Sequence, residues 1–456
     1  MIQGHTRAPF VAAAWLTWSL FNAAPASAQT YGLAPMAVTT GQAQETATAA
    51  HPHQAALDHL AQKVEKGAYR GVVALLEVNG EVVMDAAIGS RDAQGETPMT
   101  NDTIFRIYSM TKAVTAVAVL MLVEDGKVDL DAPASKYLPE LEGLTVARRK
   151  RGSRADEIDV VPCESEMTVR DLMRHSSGFT YGFMGSSTVD RMVQRAGILR
   201  PSNTNADMLR KLAELPLKHQ PGTRFEYGVS SDVLGRLVEV VSGETLDTFF
   251  ETRICGPLGM KDTGFTVPKA KRDRVATCFR RSGGKLAQVR RGGALDPKRP
   301  GALLSGGGGL YSTAPDYLAF CRMLLRGGTL PPGTEEEPGE EPEEEAQIKG
   351  PQQGNAEAPR LLSQDSVDAM LSDQLKDIPA PMLMATGGGF GFGLSVNTTT
   401  RRKGPNTGTA GWGGLAGTGF WIDRKAGAIG IFMIQNMNEV VHNNAFQAAA
   451  YKGLGR

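Results

Sequence analysis

The strand-forming segments of this chain are divided between its two ends, and that division limits what it can fold into more than any other feature. Gly71 to Val78 and Glu81 to Ile88 are rich in Val, Ala and Leu and meet at Asn79-Gly80. Asn-Gly accepts positive φ at both central turn positions, so these runs read as a hairpin. Toward the other end, Gly419 to Asp423 and Ala428 to Gln435 form a second pair around Arg424-Lys425-Ala426-Gly427. Between the pairs, from about Asp131 to Ser372, sustained alternation is missing and helical spacing and loops predominate. The order implies an α/β (α+β) fold. One antiparallel sheet is built from both ends and flanked by helices, and a mainly helical region is inserted into it. The sheet part spans about 54–130 and 373–456, and the helical part about 131–372.

Three helices frame this scheme. Gln54 to Gly67 repeats Ala56, Leu57, Leu60, Ala61 and Val64 along one face. Ser109 to Glu124 is helical up to Asp125-Gly126, and Asn443 to Lys452 closes the chain. Two charged runs are too polar to pack and read as surface loops: Arg148-Arg149-Lys150-Arg151 and an acidic, Pro-containing stretch within a loop over about 333–358.

The N-terminus reads as an address and not as fold. Arg7 precedes an apolar stretch through Phe10, Val11, Trp15, Leu16, Leu20 and Phe21, which ends in Ala26-Ser27-Ala28 before Gln29. That is the layout of a signal peptide over 1–28, followed by a lead-in over 29–53. The apolar part is shorter than the roughly 20 residues that span a bilayer. An exported product, periplasmic or secreted, with no stable membrane insertion after cleavage, is therefore expected.

Lys+Arg and Asp+Glu balance at 49 each, so no general electrostatic case exists for nucleic acid or an anionic membrane as partner. A small uncharged molecule fits better. The 53 glycines include the clusters Ser305 to Gly309 and Gly387 to Gly391, as expected where tight turns surround a pocket. Cys163, Cys255, Cys278 and Cys321 lack CxxC spacing, and four cysteines permit three disulfide connectivities without selecting one. His51, His53, Asp58 and His59 lack the spacing of a metal-binding set. Neither a metal nor another cofactor is implied.

The chemistry-bearing element is Ser109-Met110-Thr111-Lys112, an S-x-x-K pattern. At a helix start, residues three apart share a face, so the amine of Lys112 reaches the hydroxyl of Ser109, and enclosure there would weaken its preference for the charged form and let it accept the Ser109 proton. The helix N-terminus also favours the oxyanion that acyl transfer creates. A pattern this short recurs by chance, and Ser282-Gly283-Gly284-Lys285 matches it equally well as a string. Its Gly-Gly pair disfavours a helix there. No G-x-S-x-G is present, which argues against an α/β-hydrolase nucleophile.

Around Ser109 the segment Thr103 to Lys112 resembles the nucleophile segment of the serine β-lactamase, penicillin-binding protein and family VIII carboxylesterase group. Asp171-Leu172-Met173-Arg174-His175-Ser176-Ser177-Gly178 resembles that group's LLxHTSG segment. Pro221 to Tyr227 and Gly306 to Ser312 also match it in order. The resemblance implies a β-lactamase/transpeptidase-like fold and an acyl-serine mechanism. It assigns the second catalytic element to Tyr227, whose phenol needs an adjacent ammonium to serve as a base. Ser231-Asp232-Val233 is a partial S-D-N without its Asn. Where relatives that hydrolyse antibiotics carry K-T-G, this chain has Trp412-Gly413-Gly414, which looks like the family VIII esterases and some acyltransferases. The backbone N–H of Leu415 would join that of Ser109 as oxyanion hole, with Asn406-Thr407-Gly408 as a competing alignment. Ester hydrolysis is thus the first expectation. The alternatives are a β-lactamase or D,D-peptidase, an acyltransferase of the same fold, and a non-catalytic binding protein. Cleavage of the leader is checked by N-terminal sequencing of the cell-envelope or secreted protein, which should begin at Gln29. A cytosolic product that retains Met1 would contradict export.

Overall fold

The computed structural model describes residues 52–456 apart from 151, 153–156, 290–295, 298–300, 332–358, 385–386, 400–403, 440 and 456. The expected signal peptide, the lead-in as far as residue 51 and the whole of the expected acidic loop lie outside the described residues.

Helix α1 (Gln54–Glu65) buries Ala56 and Leu60 on its apolar face. It leads into β1 (Gly71–Val78) and β2 (Glu81–Gly89). Asn79 and Gly80 take φ of 52° and 84°, the double positive φ that the turn requires. A single 3-10 turn (Tyr108–Met110) then opens α2 (Thr111–Glu124). Because α2 is apolar around its whole circumference, it is buried from Thr111 through Leu122. Two further helices of the middle region matter for the site, α3 (Ser230–Ser242) and α4 (Ala314–Leu325). The chain returns through β3 (Gly388–Phe390), β4 (Ser395–Asn397), β5 (Ala410–Gly413), β6 (Gly419–Asp423) and β7 (Ala428–Met433). It closes with α5 (Val441–Gly453).

The strands form one seven-stranded sheet in the order β2-β1-β7-β6-β5-β4-β3. Its central seam joins the two ends of the chain antiparallel, with Val73 opposite Met433 and Leu75 opposite Ile431. Both faces are covered, so β1 is apolar on both. Val72, Ala74 and Leu76 pack with α1, α5 and Trp421. Val73 and Leu75 join the larger core that includes α2 and α4. An ion pair ties α4 to the sheet, since Arg322 Nε donates to the buried Glu77 carboxylate of β1 at 2.6 Å.

The arginine run departs from its reading as a loop. Arg148 and Arg149 end a strand, Thr145–Arg149, that pairs with Ile158–Pro162, and Arg148 lies opposite Asp159. This ribbon stays largely exposed toward its tip, so it needs no apolar alternation for a sequence reading to detect. All four cysteines are free thiols. No helix among the described residues is long and apolar enough to cross a membrane.

Candidate active site

Ser109 sits in the 3-10 turn between the short strand Phe105–Arg106 and α2. The preceding Tyr108 takes φ 45°, a conformation that costs a non-glycine residue about 1–3 kcal/mol. Contacts from distant segments hold the turn in that shape. Ile107 N–H donates to Leu310 O at 3.1 Å, Leu310 N–H donates to Thr111 Oγ1 at 3.2 Å, and the Tyr317 hydroxyl donates to Met110 O at 2.9 Å. The glycine run is what lets the partner segment approach. A Cβ at Gly306 would lie 2.4 Å from Ser231 O, and one at Gly309 would lie 2.7 Å from the Phe265 ring.

Lys112 follows one helical turn later and has no exposed surface. Its Nζ donates to Gly307 O at 2.6 Å, to the Tyr181 hydroxyl at 2.7 Å and to Ser109 Oγ at 3.2 Å. It also lies 4.9 Å from the ring centre of Tyr227 and 5.2 Å from that of Tyr181, within cation–π range of both. The Tyr227 hydroxyl donates to Ser109 Oγ at 2.8 Å from the other side. Trp412 completes the line from β5, where its Nε1 donates to the Tyr227 hydroxyl at 3.2 Å. The structure thus sets Lys112 and Tyr227 against Ser109 Oγ, with Trp412 behind the Tyr227 hydroxyl. Such an arrangement can remove a proton from Oγ on attack and return it to a leaving group.

Gly413 ends β5, and Gly414 follows it beside the nucleophile turn. A Cβ at Gly414 would sit 2.3 Å from Ile107 O, so only glycine lets the strand come this near. Leu415 follows in the turn and its carbonyl accepts from Asn438 N–H at 2.8 Å. The competing Asn406-Thr407-Gly408 is occupied elsewhere. Asn406 Nδ2 donates to the Asp423 carboxylate at 2.9 Å, and Gly408 N–H donates to Asn397 O.

His175 positions the loop that carries Tyr227. Its carbonyl accepts from Glu226 N–H at 2.8 Å, its Nδ1 accepts from Gly228 N–H at 3.4 Å, and its ring centre lies 5.1 Å from that of Tyr227. Burial first, and then the neighbouring Lys112, hold its pKa well below the ordinary histidine range, so it is neutral. The second S-x-x-K falls in a hairpin, Phe279–Ser282 with Lys285–Gln288, whose Gly283 and Gly284 take positive φ in the turn. Asp58 lies on the exposed side of α1, where it accepts from Gln54, and His51 is outside the described residues. A cavity of about 490 Å³ beside Phe250 and Phe265 is lined by none of Ser109, Lys112 or Tyr227. The site is therefore defined by its hydrogen-bond geometry. Sequence reasoning missed Tyr181, the Gly307 carbonyl and the Trp412–Tyr227 hydrogen bond, because each depends on a contact between remote segments.

The beta-lactamase family profile matches residues 57–452. The chain belongs to the beta-lactamase family. Protein Rv1367c of Mycobacterium tuberculosis (strain H37Rv) is 33% identical over 409 residues, covering 86% of this chain and 92% of its own length. Esterase EstB of Burkholderia gladioli is 30% identical over 384 residues, covering 80% and 86% respectively. The unliganded structure of simvastatin synthase (LovD) from Aspergillus terreus superposes with a TM-score of 0.69 at 22% identity, over 88% of this chain and 98% of that one. That likeness establishes a shared fold.

Replacing Lys112 by Ala or Tyr227 by Phe should each lower kcat on a p-nitrophenyl ester by about 100-fold or more, the usual cost of lost acid–base assistance. Steady-state kinetics of the purified variants checks this. An unchanged kcat in Tyr227→Phe would pass the role to Ser231 or to water.

Proposed function

We propose that this family member is a serine hydrolase that cleaves small uncharged carboxylic esters through an acyl-Ser109 intermediate. The carrying observation is the seating of Ser109 Oγ between Lys112 Nζ and the Tyr227 hydroxyl. In this reading Tyr227 reacts as the phenolate that the adjacent Lys112 ammonium stabilises, and it takes the Oγ proton to become a phenol as Oγ attacks the ester carbonyl carbon. The tetrahedral adduct collapses, the bond to the alkoxide oxygen breaks, and the phenol returns the proton to the departing alcohol. Water then attacks the acyl carbonyl, its proton follows the same route, and the acid leaves with Ser109 restored. The N–H groups of Ser109 and Leu415 stabilise the oxyanion in both steps.

Three further observations favour an ester over a β-lactam or a peptide. EstB, a relative over most of both chains, is named an esterase. Trp412 stands where a substrate carboxylate would need a cation. Aromatic rings cluster around the Ser109 partners, with Trp412 5.3 Å from Tyr227 and the exposed Phe183 5.1 Å from Tyr181. We place the enzyme outside the cytosol, in the periplasm or secreted, on the strength of the leader features in residues 1–28.

A β-lactam carries a carboxylate whose missing ionic partner costs roughly 1.5–3 kcal/mol in the transition state. The kcat/KM for p-nitrophenyl butyrate should therefore exceed that for nitrocefin by about 100-fold, as a parallel assay of the purified mature protein will measure. Equal efficiency on both substrates would replace the esterase reading with the β-lactamase alternative.

A further inference from the structure

A carboxylate lies behind Lys112 that the proposed chemistry does not use. Asp232, in the first turn of α3, is 1% exposed. Its Oδ1 accepts from the Ser305 hydroxyl and from Gly307 N–H, the latter at 3.1 Å. Its Oδ2 has no hydrogen-bond partner among the described residues. The same Gly307 faces the lysine, since its carbonyl accepts from Lys112 Nζ at 2.6 Å. A Cβ on Gly307 would lie 2.3 Å from Asp232 Oδ2 and 2.8 Å from the Tyr181 hydroxyl, which is itself the second acceptor of Lys112. One glycine and one phenol therefore separate the buried amine from the buried acid.

The other titratable groups around this amine come from different elements, and two of them, Tyr181 and His175, are neutral. Tyr181 is pushed well above the ordinary phenol range, first by burial and then by Asp232 and Tyr227, so it is a neutral phenol. His175 is neutral, and Tyr227, hydrogen-bonded to Ser109, is charged only in the form that takes the nucleophile's proton. Asp232 is the acid among them. An ammonium enclosed without an opposite charge is strongly disfavoured, and a buried carboxylate is too. Each group here answers the other's cost. Burial holds the Asp232 carboxyl above the ordinary carboxylate range, and Lys112, the Ser305 hydroxyl and the Gly307 N–H oppose that rise without cancelling it.

We propose that Asp232 is an anion and the buried counter-charge of Lys112, a positioning residue that keeps the amine protonated with its three hydrogens aimed at Ser109, Tyr181 and Gly307. This rests on the reading of Lys112 as the partner of Ser109. Asp232 neither gives nor takes a proton during turnover. Its charge sets the pH range over which the Lys112 ammonium is available to Tyr227.

Asp232→Asn keeps the size of the side chain and removes its charge, so the ammonium loses its opposing field. The alkaline limb of kcat/KM against pH for p-nitrophenyl butyrate should then move to lower pH by about one unit or more, as expected for a unit charge at this range. A purely structural role would lower activity without moving the limb. A limb that stays in place means Asp232 is a neutral acid, and that result overturns the proposal. A second measurement is independent of turnover and of the folding of that single variant. Lys112→Met leaves the Asp232 charge unpaired, whereas Lys112→Met combined with Asp232→Asn removes both charges. The double variant should show a higher Tm than Lys112→Met alone, and an equal or lower Tm overturns the proposal. If wild type fails to turn over esters, the hydrolase reading falls while the Tm comparison still decides the state of Asp232.

Discussion

The amine of Lys112 has no exposed surface, and an enclosed ammonium must find acceptors for all of its hydrogens. Much of the molecule is arranged to provide them. The Gly307 carbonyl comes from the segment before α4, the Tyr181 hydroxyl from the loop after the His175 segment, and Ser109 Oγ from the turn that opens α2. With two of the three directions taken by fixed acceptors, the third is directed at the nucleophile. The position of the lysine is thus a consequence of satisfying its charge, and the orientation of Ser109 follows from it.

That arrangement depends on the sheet. The seam between β1 and β7 brings the two ends of the chain together, and β5, two strands from β7, carries Trp412 against Tyr227. Glycines are needed where backbones meet, as at Gly414 against Ile107 and Gly306 against Ser231. The Tyr227 loop is set by a neutral histidine that accepts one hydrogen bond through its ring and another through its carbonyl. The strained Tyr108 is held by the contacts of its neighbours, so the tertiary structure fixes a turn that the local sequence disfavours.

How much of this was legible in the sequence follows from the separation of the partners. The hairpin at Asn79-Gly80, the amphipathic α1 and the Ser109–Lys112 pair are local features, and each was readable from turn chemistry, helical spacing or the three-residue step. The same reasoning discarded Ser282, because two adjacent glycines make a turn and not a helix. Tyr227, 118 residues from Ser109, was reached only through resemblance to a family. Tyr181 and the Gly307 carbonyl, 69 and 195 residues from Lys112, carry no pattern that links them to a lysine. The Arg148 strand leaves no period in the sequence because an exposed ribbon has little burial to impose one.

All of this chemistry requires that Ser109 Oγ is the oxygen that becomes acylated. The most direct measurement is peptide mapping by mass spectrometry after treatment with a fluorophosphonate probe, which reacts with activated serine hydroxyls. A single adduct on the peptide containing Ser109, lost in Ser109→Ala while the variant keeps its Tm, is the expected result. An adduct on the Ser282 peptide, or undiminished labelling of Ser109→Ala, would place the nucleophile elsewhere.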